Sequence, residues 1–213
     1  MSNSSLVSYT KLSPNCGART APISKITIHH AATVNASLEG MGNHFAKSST
    51  QASSNYAIDS NGKIALYVDE SKRAWTSSNQ ANDNVAVTIE VANSKGAPNW
   101  EVSDKALTAL IDLCVDICKR NGIKELNYTG DATGNLTRHN MFKATTCPGS
   151  YLQSKFPYIA EEVNKRLKNN GATTNNKTLY KVQVGAFSKK ENAENLLKKL
   201  KAQGYTDAFI REG

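Results

Sequence analysis

The run Val-Ala-Val-Thr-Ile-Glu-Val at residues 85–91 constrains the fold more than any other stretch. Its alternation places Val85, Val87, Ile89 and Val91 on one face of a strand, and Ala86, Thr88 and Glu90 on the other. A glutamate deep in such a run is poorly placed for solubility. It is either an edge-strand charge or a carboxylate with a task. A second strand is read at residues 25–30, where Ile26 and Ile28 alternate with polar positions and the run ends in the doublet His29-His30. By the same alternation His29 points opposite to Ile28, and His30 points with it.

The rest of the chain supplies helices between strands. Ser37 is placed to cap a helix running to about residue 47, with Leu38, Met41 and Phe45 on one side. Residues 54–58 and 63–68 read as a hairpin turned by Ser60-Asn61-Gly62. Residues 103–120 form the clearest helix. Ser103 caps it, Leu107, Leu110, Ile111, Cys114, Val115 and Cys118 form the inward stripe, and Gly122 stops it. A last long helix spans 150–168, with an interruption expected near Pro157. Residues 1–24, broken by Pro14, Gly17 and Pro22, read as an extended, partly ordered arm. Strands interleaved with helices give an α/β fold: a mixed central β-sheet covered by helices.

The residues that carry chemistry cluster at residues 136–150. His139 and Cys147 stand eight positions apart, and Thr146, Pro148 and Gly149 make the backbone there a turn rather than a helix. Imidazole nitrogen and thiolate sulfur are ligands that zinc favours. A third ligand is available from the His29-His30 doublet, and the alternation alone leaves open which histidine provides it. Three protein ligands with one open position describe a catalytic rather than a structural zinc. Taken without the rest, one histidine and one cysteine in a loop are a polar loop and a buried thiol. His44, on the 37–47 helix, is assigned no chemistry.

Four segments in order, Ile-Thr-Ile-His-His-Ala-Ala-Thr (26–33), Ser-Asn-Tyr-Ala-Ile-Asp-Ser-Asn-Gly-Lys-Ile (54–64), Val-Ala-Val-Thr-Ile-Glu-Val (85–91) and Arg-His to Thr-Thr-Cys-Pro-Gly (138–149), resemble the zinc-dependent N-acetylmuramoyl-L-alanine amidases of type 2. That superfamily includes phage endolysins, bacterial autolysins and peptidoglycan recognition proteins. The resemblance covers roughly residues 20–168. It implies Zn2+ held by His29, His139 and Cys147, with Glu90 as the catalytic carboxylate. Some relatives instead carry a tyrosine at the position of Ser54 and lack the glutamate. Many have a lysine where this chain has Thr145, which implies oxyanion support from a hydroxyl and from zinc. Asn55 and Ser54 are expected to contact substrate, and Tyr56 to pack. The implied substrate is peptidoglycan, cut between N-acetylmuramic acid and L-alanine. The competing reading is a non-catalytic wall-binding module, and the complete set of four residues favours catalysis.

Charge separates the two ends of the chain. The net charge of +8 divides into +4 on residues 1–168 and +4 on residues 169–213. A basic surface suits polyanions. With no aromatic-basic platform or docking helix, charge alone does not argue for nucleic acid. The four cysteines at 16, 114, 118 and 147 do not form a secreted disulfide framework. No apolar run approaches membrane-spanning length, and the first residues lack the features of a signal peptide, so the expectation is synthesis in the cytoplasm and action on the wall after release. Residues 169–178 read as a polar linker. Residues 179–213 read as a small C-terminal βαβ segment, with strands at 179–188 and 205–210 around a basic helix at 189–202. Val-Gln-Val-Gly-Ala-Phe followed by that helix and Gly-Tyr resembles one half of a SPOR (sporulation-related repeat) wall-binding domain. That family has two halves, so the expectation is a half module completed by pairing with a second copy, or a module of which this sequence holds part.

Overall fold

Residues 2–169, 183–205 and 208–210 are described by a computed structural model of the chain. The chain divides into two units, Met1–Thr173 and Thr174–Gly213. In the first unit, strands β1 (Val7–Thr10), β3 (Lys25–Val34), β4 (Tyr56–Ile58), β5 (Ile64–Leu66), β7 (Ala86–Asn93) and β8 (Leu136–Arg138) form one mixed sheet in the order β1-β5-β4-β7-β3-β8. Strands β2 (Cys16–Ala18) and β6 (Lys72–Ala74) form a separate antiparallel pair. The helices are α1 (Leu38–Phe45), α2 (Gln80–Val85), α3 (Asp104–Arg120) and α4 (Ser150–Asn169).

The alternation of the central strands divides the sheet into two unlike faces. Ile26 and Ile28 of β3, Val87, Ile89 and Val91 of β7, and Tyr56 and Ile58 of β4 are buried in one cluster with the stripes of α3 and α4. Each of these side chains contributes about 1.5–3 kcal/mol by leaving water. The opposite face holds a smaller cluster, in which α1 sets Leu38, Met41 and Phe45 against Ala57, Ala65, Tyr67 and Ala92. Next to it the same face is polar, and it carries the candidate residues His29 and Glu90. The hairpin between β4 and β5 turns at Gly62, whose φ is +80° and whose added Cβ would lie 2.8 Å from the Lys105 carbonyl. Only glycine fits that approach.

Four expectations change. The arm at residues 1–24 is extended but not loose, because β1 joins the main sheet and β2 pairs with β6. Val85 closes α2 instead of opening β7. This short helix is capped by the Asn79 side chain, which accepts from the Asn82 N–H. Pro157 does not interrupt α4. It lies on the exposed side, where the carbonyl it leaves unpaired can meet water, while Phe156, Ile159 and Val163 anchor the helix inward. In the second unit α5 (Lys190–Ala202) forms as expected. Of the flanking strands, 179–182 and 206–207 lie outside the described residues, and 183–188 and 208–210 form no strand. The linker likewise lies outside them, except for Asn169, which ends α4.

The arm is fastened at a buried ion pair. Arg120 donates to both carboxylate oxygens of Glu70 at 2.7 and 2.8 Å, and Tyr56 Oη donates to Glu70 Oε1 at 2.6 Å. The Ser4 N–H donates to the Tyr56 oxygen, and Asn3 bridges Asp69 and the Glu70 N–H. Glu70 is 1% exposed. Removing its guanidinium leaves a buried carboxylate short of donors, which costs about 3–5 kcal/mol. Arg120→Met is therefore expected to lower stability by that amount, and Arg120→Met with Glu70→Gln to recover part of it. Urea unfolding followed by the fluorescence of Trp75 and Trp100 measures both.

Candidate metal centre

Three neighbouring parallel strands bring the candidate residues level with one another. In the β3–β7 register His29 pairs with Glu90, and in the β3–β8 register Ile28 pairs with Arg138. Parallel partners project to the same side of a sheet, so His29 and Glu90 share the polar face. His139 follows Arg138 directly and opens a short 3₁₀ turn, His139–Met141. The chain then loops back. The Asn140 N–H donates to the Cys147 carbonyl at 3.1 Å, and the Gly149 N–H to the Thr146 carbonyl at 2.7 Å. Gly149 has φ +83°, and a Cβ there would stand 2.9 Å from Trp100 Cβ. Glycine is needed for the turn to close against Trp100 and deliver the thiol.

The result is a compact donor set. One ligand atom each from His29, His139 and Cys147 lie within 4.8 Å of one another. His29 Nδ1 is 3.7 Å from Cys147 Sγ, and the two imidazole rings have centroids 4.6 Å apart. Tetrahedral zinc with bonds of about 2.0–2.3 Å holds its ligands roughly 3.4–3.8 Å apart, the spacing of His29 Nδ1 and Cys147 Sγ, and the whole set, within 4.8 Å, is somewhat wider. His29 Nε2 and His139 Nε2 are buried without a hydrogen-bond partner. Burial, then the neighbouring His139 and His30, holds the His29 imidazole well below its ordinary pKa. Burial lowers His139 as well. Burial, then Glu90, pushes the Cys147 thiol well above its usual range. Without a cation these three groups are neutral and under-bonded. A dication bound at His29 Nδ1, the nitrogen that faces Cys147 Sγ, and at an imidazole nitrogen of His139 would satisfy one lone pair on each ring and stabilise the thiolate, so the residues fit zinc. His29 Nε2 lies on the other side of its ring and is not explained by that ion.

Glu90 stands beside the set and outside it. Its Oε1 is 4.0 Å from His29 Nδ1, and its Oε2 is buried and unpartnered. Burial raises its pKa to about 8. It lines a cleft of about 590 Å³ whose other walls come from β3, the loop after it and α1. Thr145 is exposed on the Cys147 loop, and its Oγ1 accepts the Cys147 N–H at 3.2 Å. Asn55 and Ser54 are not brought to this cleft. Both are fully buried. Asn55 Oδ1 accepts the Thr88 N–H at 3.1 Å and its Nδ2 donates to the Val68 carbonyl at 3.1 Å, so it ties β7 to the loop after β5. The Ser54 hydroxyl donates to the Tyr56 carbonyl at 2.8 Å. Their polar atoms are engaged inside the protein, and neither offers one to substrate. One feature escapes sequence reasoning: the His30 N–H donates to Cys147 Sγ at 3.4 Å, a bond that depends on where the loop returns.

His29→Ala, His139→Ala and Cys147→Ala are each expected to lose bound zinc, read as metal content per chain after dialysis. Zinc at full occupancy in all three would contradict the assignment.

Both segments of the chain have counterparts among known proteins. Residues 160–212 match the SPOR domain, a match that starts inside α4 and ahead of residue 179. No curated protein matches the chain. Among solved structures, PlyL is 17% identical with a TM-score of 0.56, over 73% of this chain and 95% of PlyL. A mutant endolysin from Bacillus subtilis is 16% identical with a TM-score of 0.57, over 73% and 97%. The Drosophila peptidoglycan recognition protein SA is 19% identical with a TM-score of 0.55, over 70% and 90%. At these identities the likeness is one of fold. Residues 19–150 match the family described as N-acetylmuramoyl-L-alanine amidase, and the chain belongs to that family.

Proposed function

We propose that this chain is a zinc-dependent peptidoglycan hydrolase that cleaves the amide between N-acetylmuramic acid and L-alanine. Residues 1–168 would carry the reaction, and residues 179–213 would hold the wall. The observation that carries this reading is a half-buried carboxylate, Glu90, that lines a cleft and stands 4.0 Å from one member of a three-residue metal-binding set it does not join, with one of its oxygens buried and without a hydrogen-bond partner. A site built only to bind would have no use for such an acid. Endolysin and autolysin roles both accord with the SPOR match and with the absence, among the described residues, of any helix long and apolar enough to cross a membrane.

Amide hydrolysis needs an activated water, support for the tetrahedral oxyanion and a proton for the departing amine. Zinc bound by His29, His139 and Cys147 supplies Lewis acidity, acidifying water and polarising the scissile carbonyl. Glu90 in its ionised form, which a dication beside it would favour against the effect of burial, takes the proton from the attacking water as the water oxygen bonds to the carbonyl carbon. The protonated Glu90 then gives that proton to the alanine nitrogen as the C–N bond breaks. The Thr145 hydroxyl keeps its own proton free to donate toward the oxyanion, because its oxygen accepts from the Cys147 N–H.

Glu90→Gln separates metal binding from catalysis. Glutamine has the same shape and cannot take up the proton. Turnover on a defined muramoyl-peptide is expected to fall by roughly 100- to 10,000-fold at unchanged zinc content. Near-wild-type turnover with full zinc would remove Glu90 from the mechanism. For the second segment, the expectation is that residues 1–168 alone cleave soluble muropeptides and bind purified walls more weakly than the full chain. Equal retention in a wall pull-down would rule out a targeting role.

A further inference from the structure

Helix α1 walls the cleft, yet its own sequence supports it weakly. It has eight residues, and two of them are Gly40 and Gly42. Isolated helices shorter than about 12–15 residues are marginal in water, and interior glycine weakens them further. Its Gly40, Met41, His44 and Phe45 line the cleft that Glu90 also lines. The shape of that wall therefore depends on what holds α1 from outside.

The N-terminal arm holds it. The last carbonyls of a helix have no partner within it. Here the Phe45 carbonyl accepts from the Ser13 hydroxyl and from Asn15 Nδ2, the second at 3.0 Å. The same Asn15 Nδ2 donates to the Lys47 carbonyl at 2.9 Å, just before the turn Ser48–Thr50. Asn15 is 2% exposed and Ser13 7%.

The arm is itself fixed to the sheet. The Lys11 N–H donates to the Leu66 carbonyl at 3.1 Å, and the Ser13 N–H to the Tyr67 carbonyl at 2.8 Å. The Asn15 carbonyl accepts from the Ser53 hydroxyl at 2.6 Å, and the Asn15 N–H donates to the Ser13 hydroxyl oxygen at 3.1 Å. Packing is equally close. A Cβ on Gly42 would stand 3.1 Å from the Tyr67 ring and 3.3 Å from Lys11 Cβ. The first turn of α1 is held separately, by the Tyr67 hydroxyl donating to the Leu38 carbonyl.

The metal set and Glu90 come from other elements: β3, β7 and the chain that follows β8. Loosening the end of α1 changes the cleft wall and leaves those groups in place. Ser13 and Asn15 also precede the amidase match, which begins at residue 19.

We propose that Asn15 and Ser13 are positioning residues for substrate binding, which hold the C-terminal end of α1 where the cleft can receive the muramoyl-peptide. This inference rests on the amidase reading. Substrate binds chains whose α1 is in place, so apparent affinity falls in proportion to that fraction. The test measures KM, kcat and zinc content on one soluble muramoyl-peptide, with amide hydrogen exchange over residues 38–47. The full-length variants are Asn15→Ala, Asn15→Ala combined with Ser13→Ala, and Ser13→Thr. KM is expected to rise about fivefold in Asn15→Ala and about tenfold in the double variant, which strips both donors from the Phe45 carbonyl. In both, kcat should stay within about twofold with zinc bound, and exchange should quicken over 38–47 but not over β3 or β7. Ser13→Thr keeps the hydroxyl, so its KM should stay within about twofold of wild type. Unchanged KM in Asn15→Ala would overturn the proposal even with a lowered melting temperature, because the arm would then serve stability alone. Loss of zinc and kcat in step with KM would overturn it too, because the arm would then support the whole domain. Should the double variant not fold, Asn15→Ala decides alone. A wild-type chain that releases no alanine N-termini would overturn the amidase reading and this inference with it. Wild-type cleavage with unchanged variants overturns the inference alone.

Discussion

The in-register pairing of β7, β3 and β8 is the constraint on which the rest of the site depends. Because the three strands run parallel, His29 comes level with Glu90, and Arg138 pairs beside Ile28 so that His139 emerges next to His29. A slip of one residue in β3 would turn His29 into the apolar cluster and bring Ile28 to the polar face. The isoleucines and valines of the other face prevent that slip, because their burial against α3 and α4 is lost if the register shifts. The hydrophobic core therefore fixes the geometry of the polar site, and the site needs little stabilisation of its own.

That division of labour explains how the protein tolerates so many unsatisfied groups in one place. The free nitrogens of His29 and His139 and one oxygen of Glu90 are buried and unpaired, each at a cost in folding free energy. The cost is local, and a dication would offset part of it by taking up a lone pair on His139 and the Cys147 thiolate, while His29 Nε2, on the side of the ring away from Cys147, keeps its cost. So does Glu90. Its unpaired oxygen remains in the cleft, where a proton acceptor is useful.

Much of this was legible in the sequence, for identifiable reasons. Alternation over Val87–Val91 and Ile26–Ile28 revealed both strands and the faces of Glu90 and His29, since burial on one side leaves a period of two. Ser37 and Ser103 marked helix starts because their side chains cap them. Other features left no such signal. Strand β8 has three residues, too few for alternation to show, and it exists because β3 offers an open edge. Pro157 read as a break because proline removes a donor, but the sequence did not reveal that the freed carbonyl would face solvent. Ser54 and Asn55 lie in a motif segment, and their residue types suit substrate contact. Only the folded chain shows their polar atoms engaged with Tyr56, Thr88 and Val68. Motif position locates a residue along the chain, whereas its hydrogen-bond partners decide what it can do.

The central claim is that two imidazoles and one thiolate, and no carboxylate, bind the metal. X-ray absorption at the zinc edge of the purified protein tests it directly. The account predicts a four-coordinate shell with one sulfur at about 2.3 Å and three nitrogen or oxygen neighbours at about 2.0–2.1 Å, two of them imidazole. A shell without sulfur, or one with two or more sulfurs, would contradict it.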